Sequence, residues 1–231
     1  THSKETIRKL NGYIRSSLDD AVYEGLLPKN ITYKVTFKGS NPPKDEQSKY
    51  INLVEYETLE KRFKSQNNRS SLALFIMICT GCRISGVLNM KYEYINQVKN
   101  ELFIDERKND VSPRTLTIAK DDMRHITGMI EKLKLNTKGL LFNSFGTILT
   151  INAVNKQLKQ ACKLHGIKQI TSHALRHTHC SYLLANDVSI YYISKRLGHK
   201  NISVTTEIYS HLLEEKYLEE NNKAIEVLSA M

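Results

Sequence analysis

The sequence predicts an α+β chain that is mainly helical, with one small antiparallel sheet inside a large second domain. Three observations point there. Apolar residues recur every three to four positions through most of the chain, the interval at which side chains share a helix face. Residues 102–104 and 114–118 are instead short β-prone runs around a polar stretch containing Pro113, the pattern of a hairpin. Residues 38–48, Lys-Gly-Ser-Asn-Pro-Pro-Lys-Asp-Glu-Gln-Ser, have the composition of a linker and set a boundary near residue 45. Residues 1–45 then form a helical fragment with its linker, and residues 46–231 the main domain.

In order along the chain, Ile7, Leu10, Ile14, Leu18, Ala21 and Val22 give a first helix over 6–27, stopped by Gly25 and Pro28. What precedes the linker is too short to be a complete domain. Leu53 to Phe63 and Ser70 to Cys79 follow as helices, the second capped by Ser70 or Ser71 and closed by Gly81. A short helix at 84–90 leads into the hairpin. Met123, Ile126, Ile130 and Leu133 mark the next helix; Ile151, Val154, Leu158 and Ala161 mark another behind Thr150. Thr171 or Ser172 caps a helix through Leu184, Ser189 one that ends at Gly198, and Ser203 one containing Tyr209. Tyr191 and Tyr192 are expected to pack. An acidic-apolar helix from Leu212 to Leu228 completes the chain.

Lys and Arg number 34 against 24 Asp and Glu, a formal charge of +10. That excess suits a polyanion, because each neutralised phosphate releases a condensed counterion; anionic membrane surfaces attract the same charge. No segment approaches the roughly 18 apolar residues of a membrane span. The start, Thr1-His2-Ser3-Lys4, has neither an initiating Met nor a signal peptide, which reads as a fragment of a longer chain. Four scattered cysteines, Cys79, Cys82, Cys162 and Cys180, do not make a disulfide scaffold and fit a reducing, cytoplasmic setting. Cys79 and Cys82 have CxxC spacing, but without a second pair at zinc spacing core packing is the better reading.

The chemistry-bearing residues fall in separated motifs. His173 and Arg176, in His-Ala-Leu-Arg-His, are three apart and share a helix face. Gly198 ends a helix and presents His199; ten residues later comes Tyr209. Upstream, Thr80-Gly81-Cys82-Arg83 puts an arginine just past a glycine-terminated helix. Such a set matches the needs of attack on a phosphodiester. Guanidinium groups offer fixed bidentate donors to the charge that gathers on the non-bridging oxygens. A tyrosine oxygen attacks phosphorus and can leave again, so the linkage energy is kept and no ATP is needed. A base must take the phenolic proton and an acid must protonate the departing oxygen. His173, His177 and Cys180 also share a face, yet the carboxylates that magnesium would want are not gathered there, and this chemistry needs no metal.

In Arg83, His173-xx-Arg176, Gly198-His199 and Tyr209, residues 50–215 resemble the tyrosine recombinases of the lambda-integrase family, and the N-terminal helix resembles the end of that family's core-binding domain. The resemblance implies a tyrosine-recombinase catalytic fold and a site-specific recombinase acting through a 3′-phosphotyrosine, without a cofactor. It implies that Arg83 and Arg176 clamp the scissile phosphate and that His199 hydrogen-bonds it. His173 assists proton transfer at Tyr209, the nucleophile. Lys108 occupies the hairpin position at which the family carries a lysine general acid; Arg107 and Arg114 leave the turn or cannot give up a proton. One departure stands out: the family's usual acidic residue three positions after the first arginine is here Gly86, so either another residue supports Arg83 or the site is less tightly held.

The partners implied are double-stranded DNA recombination sites and three further copies of the chain, with accessory DNA-bending factors compatible with the scheme and no membrane. The C-terminal tail would dock on a neighbouring subunit, the alternative being a cover for its own domain. A mobile-element integrase fits better than a chromosome-dimer resolvase. Two rival readings are a type IB topoisomerase, against which the His173 and Gly198-His199 spacing argues, and a DNA-binding regulator that has lost catalysis.

Overall fold

The computed structural model describes residues 3–36, 50–106, 113–144, 146–209, 221–222 and 224–229. The expected linker at 38–48, Lys108, and the start of the expected C-terminal helix from Leu212 lie outside the described residues. The chain divides into two compact units, Thr1–Glu46 and Gln47–Met231.

The first unit is built on α1 (Lys4–Tyr23), capped by the Ser3 hydroxyl, and a 3-10 turn at Ile31–Lys34. The helix stops at Tyr23, short of residue 27, because Gly25 turns left-handed at φ +75°. Asn30 ties the turn to α1 through Asp19 at 2.8 Å and the Arg15 carbonyl at 2.9 Å. No residue of α1 is buried.

The second unit wraps one central helix. α2 (Leu53–Lys64) begins with a capping box in which Asn52 and Glu55 each bond the other's backbone N–H. α3 (Arg69–Thr80) is apolar on all sides and nearly all buried, from Leu72 to Ile78. Around it pack α2, α4 (Ile84–Leu88), α5 (Lys120–Lys132), α6 (Ile151–Leu164) and α7 (Ser172–Ala185). α8 (Ile190–Leu197) and α9 (Ile202–Ile208) form a smaller layer on Cys180, Leu184, Ile193, Leu197 and Tyr209. Residues 221–222 and 224–229 are helical. Among the described residues no helix is long and apolar enough to cross a membrane.

The sheet is antiparallel, in the order β1 (Ile95–Asn96), β2 (Glu101–Ile104), β3 (Arg114–Thr117), with Ile104 opposite Arg114. The strand β1 and a second two-stranded ribbon, β4 (Asn143–Ser144) with β5 (Thr147–Ile148), were not expected; two-residue strands carry too little period-2 signal to read.

Three caps differ from expectation. Asn68, not Ser70 or Ser71, caps α3, accepting from the Ser71 N–H at 2.9 Å; an asparagine one residue before the helix wins over serines already inside its first turn. Asn201 rather than Ser203 caps α9, and Tyr209 sits at its C-cap rather than within it. Thr171 precedes α7 without a side-chain cap; the Ser172 N–H is instead met by Asn155 of α6 at 3.0 Å. Tyr191 and Tyr192 are 63% and 51% exposed rather than packed, because both lie on the outer face of α8 beside Lys195 and Arg196.

Candidate active site

Two left-handed glycines build the site. Gly81, at φ +66°, closes α3, so the chain reverses and delivers Arg83 to the N-cap of α4. Gly198, at φ +68°, closes α8 and delivers His199. Between these helix ends runs α7, whose Arg176 is 3% exposed and bridges them. Its guanidinium donates to the Gly81 carbonyl at 3.0 Å and to the Leu197 carbonyl at 2.6 Å. Both acceptors are unsatisfied carbonyls at the negative ends of helices, where a buried cation is best tolerated.

Three guanidinium groups converge on one carboxylate. Glu106, just past the end of β2, accepts from the Arg83 backbone N–H at 2.7 Å and pairs with the Arg83 side chain through its other oxygen. Arg114 of β3 reaches the same carboxylate at 3.2 Å and Arg176 at 3.6 Å. Burial alone would raise the Glu106 pKa, but Arg114, Arg176 and Arg83 hold it below the ordinary carboxylate value. Arg176 is brought down to about 10, chiefly by burial and then by the Arg83 charge, and stays a cation at neutral pH. Three cations around one anion leave two positive charges in excess. The Glu106 side chain has no exposed surface while Arg83 keeps 19% of its own, so the excess faces outward. Such an arrangement can receive an anion.

Gly86 explains how Glu106 fits. A Cβ at position 86 would lie 2.9 Å from the Glu106 Cγ and 2.9 Å from the Ile104 Cγ2. The acid missing at 86 is thus answered by a carboxylate that arrives from the sheet and fills the space the glycine leaves.

His199 is 9% exposed, with its Nδ1 2.7 Å from the Thr205 hydroxyl. Burial, then Arg176, Arg83 and Arg114, depress its pKa to about 4, so it is a neutral imidazole at pH 7. A second neutral histidine, His179, is brought to about 3, chiefly by burial. Its Nδ1 lies 2.9 Å from the Ile78 carbonyl, which can only accept, so that nitrogen carries the proton. Its Nε2 then accepts from Arg196 at 3.2 Å, and Arg196 reaches the Cys79 carbonyl at 2.9 Å. This pair pins α8 to the end of α3.

Tyr209 is 3% exposed. Its hydroxyl lies 2.9 Å from the His177 Nδ1 and 3.3 Å from the His177 carbonyl. Burial, followed by the neighbouring Cys180, raises its pKa well above the ordinary phenol; Arg176 pulls the other way. The Cys180 thiol is itself pushed up to about 12 by burial. His173 is exposed and its ring stands edge-on to that of His177, with centroids 4.7 Å apart. Of the residues singled out in the sequence, Arg83, Arg176 and His199 are brought together. Tyr209 contacts His177, the residue after Arg176, and the ring of His173 packs edge-on against that of His177. Lys108 lies outside the described residues, between Glu106 and Arg114 in sequence.

Four residues at the site were not singled out. Glu106 was overlooked, although period 2 from the buried Leu102 and Ile104 puts it on the inward face, where a charge demands partners. Arg114 was set aside as leaving the turn; the same alternation with Leu116 turns it inward. His177 is visible in the sequence only as sharing a face with His173 and Cys180, and Thr205 carries no signal. Cys79 and Cys82 are free cysteines, the latter buried with its thiol raised to about 11 by burial. Among the described residues no group of three or more His, Cys, Asp or Glu is arranged to hold a metal.

Residues 47–216 match the family model described as the phage integrase family. A XerC-like tyrosine recombinase of Caldanaerobacter subterraneus subsp. tengcongensis is 27% identical over 91% of this chain and 63% of its own length. Transposase A from transposon Tn554 of Staphylococcus aureus is 28% identical over 68% of this chain. The chain spans under two thirds of the first of these relatives and 48% of the second. In fold it is similar to the integrase of the Tn1549 transposon solved with a circular intermediate DNA. There the TM-score is 0.70 at 18% identity, over 90% of this chain and 75% of that one. A lambda integrase dimer bound to a core site gives 0.63 at 18% identity, over 84% and 71%. With the family model covering well over half of its length, this chain belongs to the phage integrase family and has the tyrosine-recombinase catalytic fold.

Proposed function

We propose that this chain cuts and rejoins DNA strands at specific sites through a covalent 3′-phosphotyrosine on Tyr209, integrating or excising a mobile element. The observation that carries the reading is the adjacency of Arg176 and His177 in α7. One side chain sits in an arginine cluster with excess positive charge, and the next touches the Tyr209 hydroxyl. One arginine of the cluster and the histidine that touches the nucleophile therefore sit side by side on α7.

The chemistry follows from the charges. A bound phosphodiester brings one negative charge and the five-coordinate transition state a second, which balances the surplus of the cluster. Arg83 and Arg176 grip the non-bridging oxygens, and neutral His199 donates a hydrogen bond without adding charge. Tyr209 gives its proton to a histidine, for which His173 and His177 both stand close, and its oxygen bonds to phosphorus. The bond from phosphorus to the 5′ oxygen breaks, and that oxygen takes a proton from Lys108. A 5′ hydroxyl from another strand then attacks the phosphotyrosine, the new diester forms, and Tyr209 regains its proton. Buried as it is, Tyr209 must leave its seat beside Cys180 before it attacks. Lys156, Lys159 and Lys163 form an exposed basic stripe along α6 that suits the DNA backbone. Four copies acting on two duplexes, a C-terminal tail exchanged between subunits, accessory bending factors and a place in the bacterial nucleoid belong to the same proposal.

The test is covalent trapping on DNA nicked beside the cleavage site, run in EDTA and read on a denaturing gel. Wild type is expected to give a DNA-linked band and Tyr209→Phe none; a band that persists in the variant would remove Tyr209 as nucleophile.

A further inference from the structure

We infer that Glu106 is a positioning residue for the phosphate site: its carboxylate sets the two clamping arginines, Arg83 and Arg176, in register with each other. The inference rests on the function proposed above for that site. Four observations carry it. Glu106 uses both oxygens, Oε2 on the Arg83 side chain and Oε1 on the Arg83 backbone N–H at 2.7 Å, so it fixes that residue at two points. Oε1 also faces Arg176 at 3.6 Å and Arg114 at 3.2 Å, which ties α4, β3 and α7 to one atom. Its side chain has no exposed surface, so it lies beneath the guanidinium groups and cannot compete with a phosphate approaching from solvent. Finally, the space it fills exists only because residue 86 is glycine, whose Cβ would come within 2.9 Å of the Glu106 Cγ.

The physical need is clear. Three guanidinium groups this close repel one another, and without an anion they would splay. A carboxylate below the cluster holds them parallel in the empty site, so the phosphate meets donors already aimed at it. Preorganised donors of this kind help the transition state more than the ground state. Removing the carboxylate raises the net charge of the cluster by one. The variant should therefore bind the DNA phosphate at least as tightly while reacting more slowly. A residue that merely holds the fold together would move both quantities in the same direction.

The test compares wild type, Glu106→Gln and Glu106→Asp at saturating nicked DNA, measuring single-turnover formation of the covalent adduct, DNA affinity and thermal stability. Glu106→Gln is expected to cleave about 10- to 100-fold more slowly, taking as a guide the loss seen when the partner that orients a metal ligand is removed, with DNA affinity unchanged or tighter. Glu106→Asp, which keeps the charge on a shorter stem and guards against misfolding, should fall between. Wild-type cleavage by Glu106→Gln would overturn the assignment. So would a rate that drops only in step with DNA affinity and stability, or an Asp variant no faster than the Gln variant. In parallel, the side-chain Nε–H resonances of Arg83 and Arg176 are followed by NMR without DNA. They should be resolved in wild type and averaged in Glu106→Gln; identical spectra would overturn the assignment. That arm decides the role of Glu106 even if wild type forms no adduct, a result that would count against the recombinase function alone.

Discussion

Replacing Arg176 with lysine should split stability from activity along the pH axis. The guanidinium spans two helix-end carbonyls, at Gly81 and Leu197, and a single ammonium reaches one of them. Losing one hydrogen bond from a charged donor costs about 1.5 to 3 kcal/mol. The surroundings, burial foremost and the Arg83 charge second, bring Arg176 from 12.5 to about 10. The same surroundings acting on a lysine, ordinarily near 10.4, would bring it to about 8. The sign then follows. Below about pH 8 both folded and unfolded chains hold the proton, and the full penalty of burying the charge is present. Between about 8 and 10.4 the folded chain has lost it and the unfolded chain keeps it, so stability rises with pH, by up to about 1.4 kcal/mol per unit. Cleavage runs the other way, because a neutral amine cannot hold the phosphate. Urea melts and single-turnover adduct formation for Arg176→Lys, each divided by wild type from pH 6.5 to 9.5, should therefore cross. A rate ratio that stays flat, or a stability that falls through this window, would refute the view that Arg176 is a cation held in a poorly solvated niche between helix ends.

Two substitutions probe the supports of the site. Gly81→Ala forces a Cβ to within 2.5 Å of the His179 ring, which is pinned by Ile78 and Arg196, at a backbone of φ +66°. Strain and overpacking together should remove about 2 to 4 kcal/mol of stability in a urea titration; a loss below about 1 kcal/mol would mean that the ring is free to move. Thr205→Val leaves the His199 Nδ1 without its hydroxyl partner in a buried setting and should cost about 1 to 3 kcal/mol. With the imidazole no longer fixed in one orientation, adduct formation should slow while DNA affinity holds, and an unchanged rate would show that another group orients His199.

The helices were legible because their signals are local. α6 and α8 begin at the hydroxyl caps expected for them, Thr150 and Ser189. α3 is so apolar that its place at the centre of the domain follows from its residues alone. Where the reading slipped, two residues of similar capping ability competed within a turn, as Asn201 did with Ser203, and geometry rather than residue type chose between them. The candidate site residues were legible for a different reason: Arg83 and His199 each follow a glycine that ends a helix, so a side chain of known chemistry sits at a sharp reversal of the chain.

What was not legible is what opposes the charges. A sequence shows which residues are cations; it does not show which anion lies under them, because that depends on long-range approach. Glu106 and Arg83 are 23 positions apart, and Arg176 is 95 positions from the carbonyl it holds. The glycine at 86 was visible as a missing acid, yet its meaning lies in the atoms of Ile104, in β2, and of Glu106, just past it, that crowd it. The general lesson is electrostatic. Buried arginines cannot shed their protons, so a cluster of them must contain its own counter-charge. When the expected position lacks one, the inward-facing acids of neighbouring strands are the places to look. Here alternation from Leu102 through Ile104 leads to Glu106.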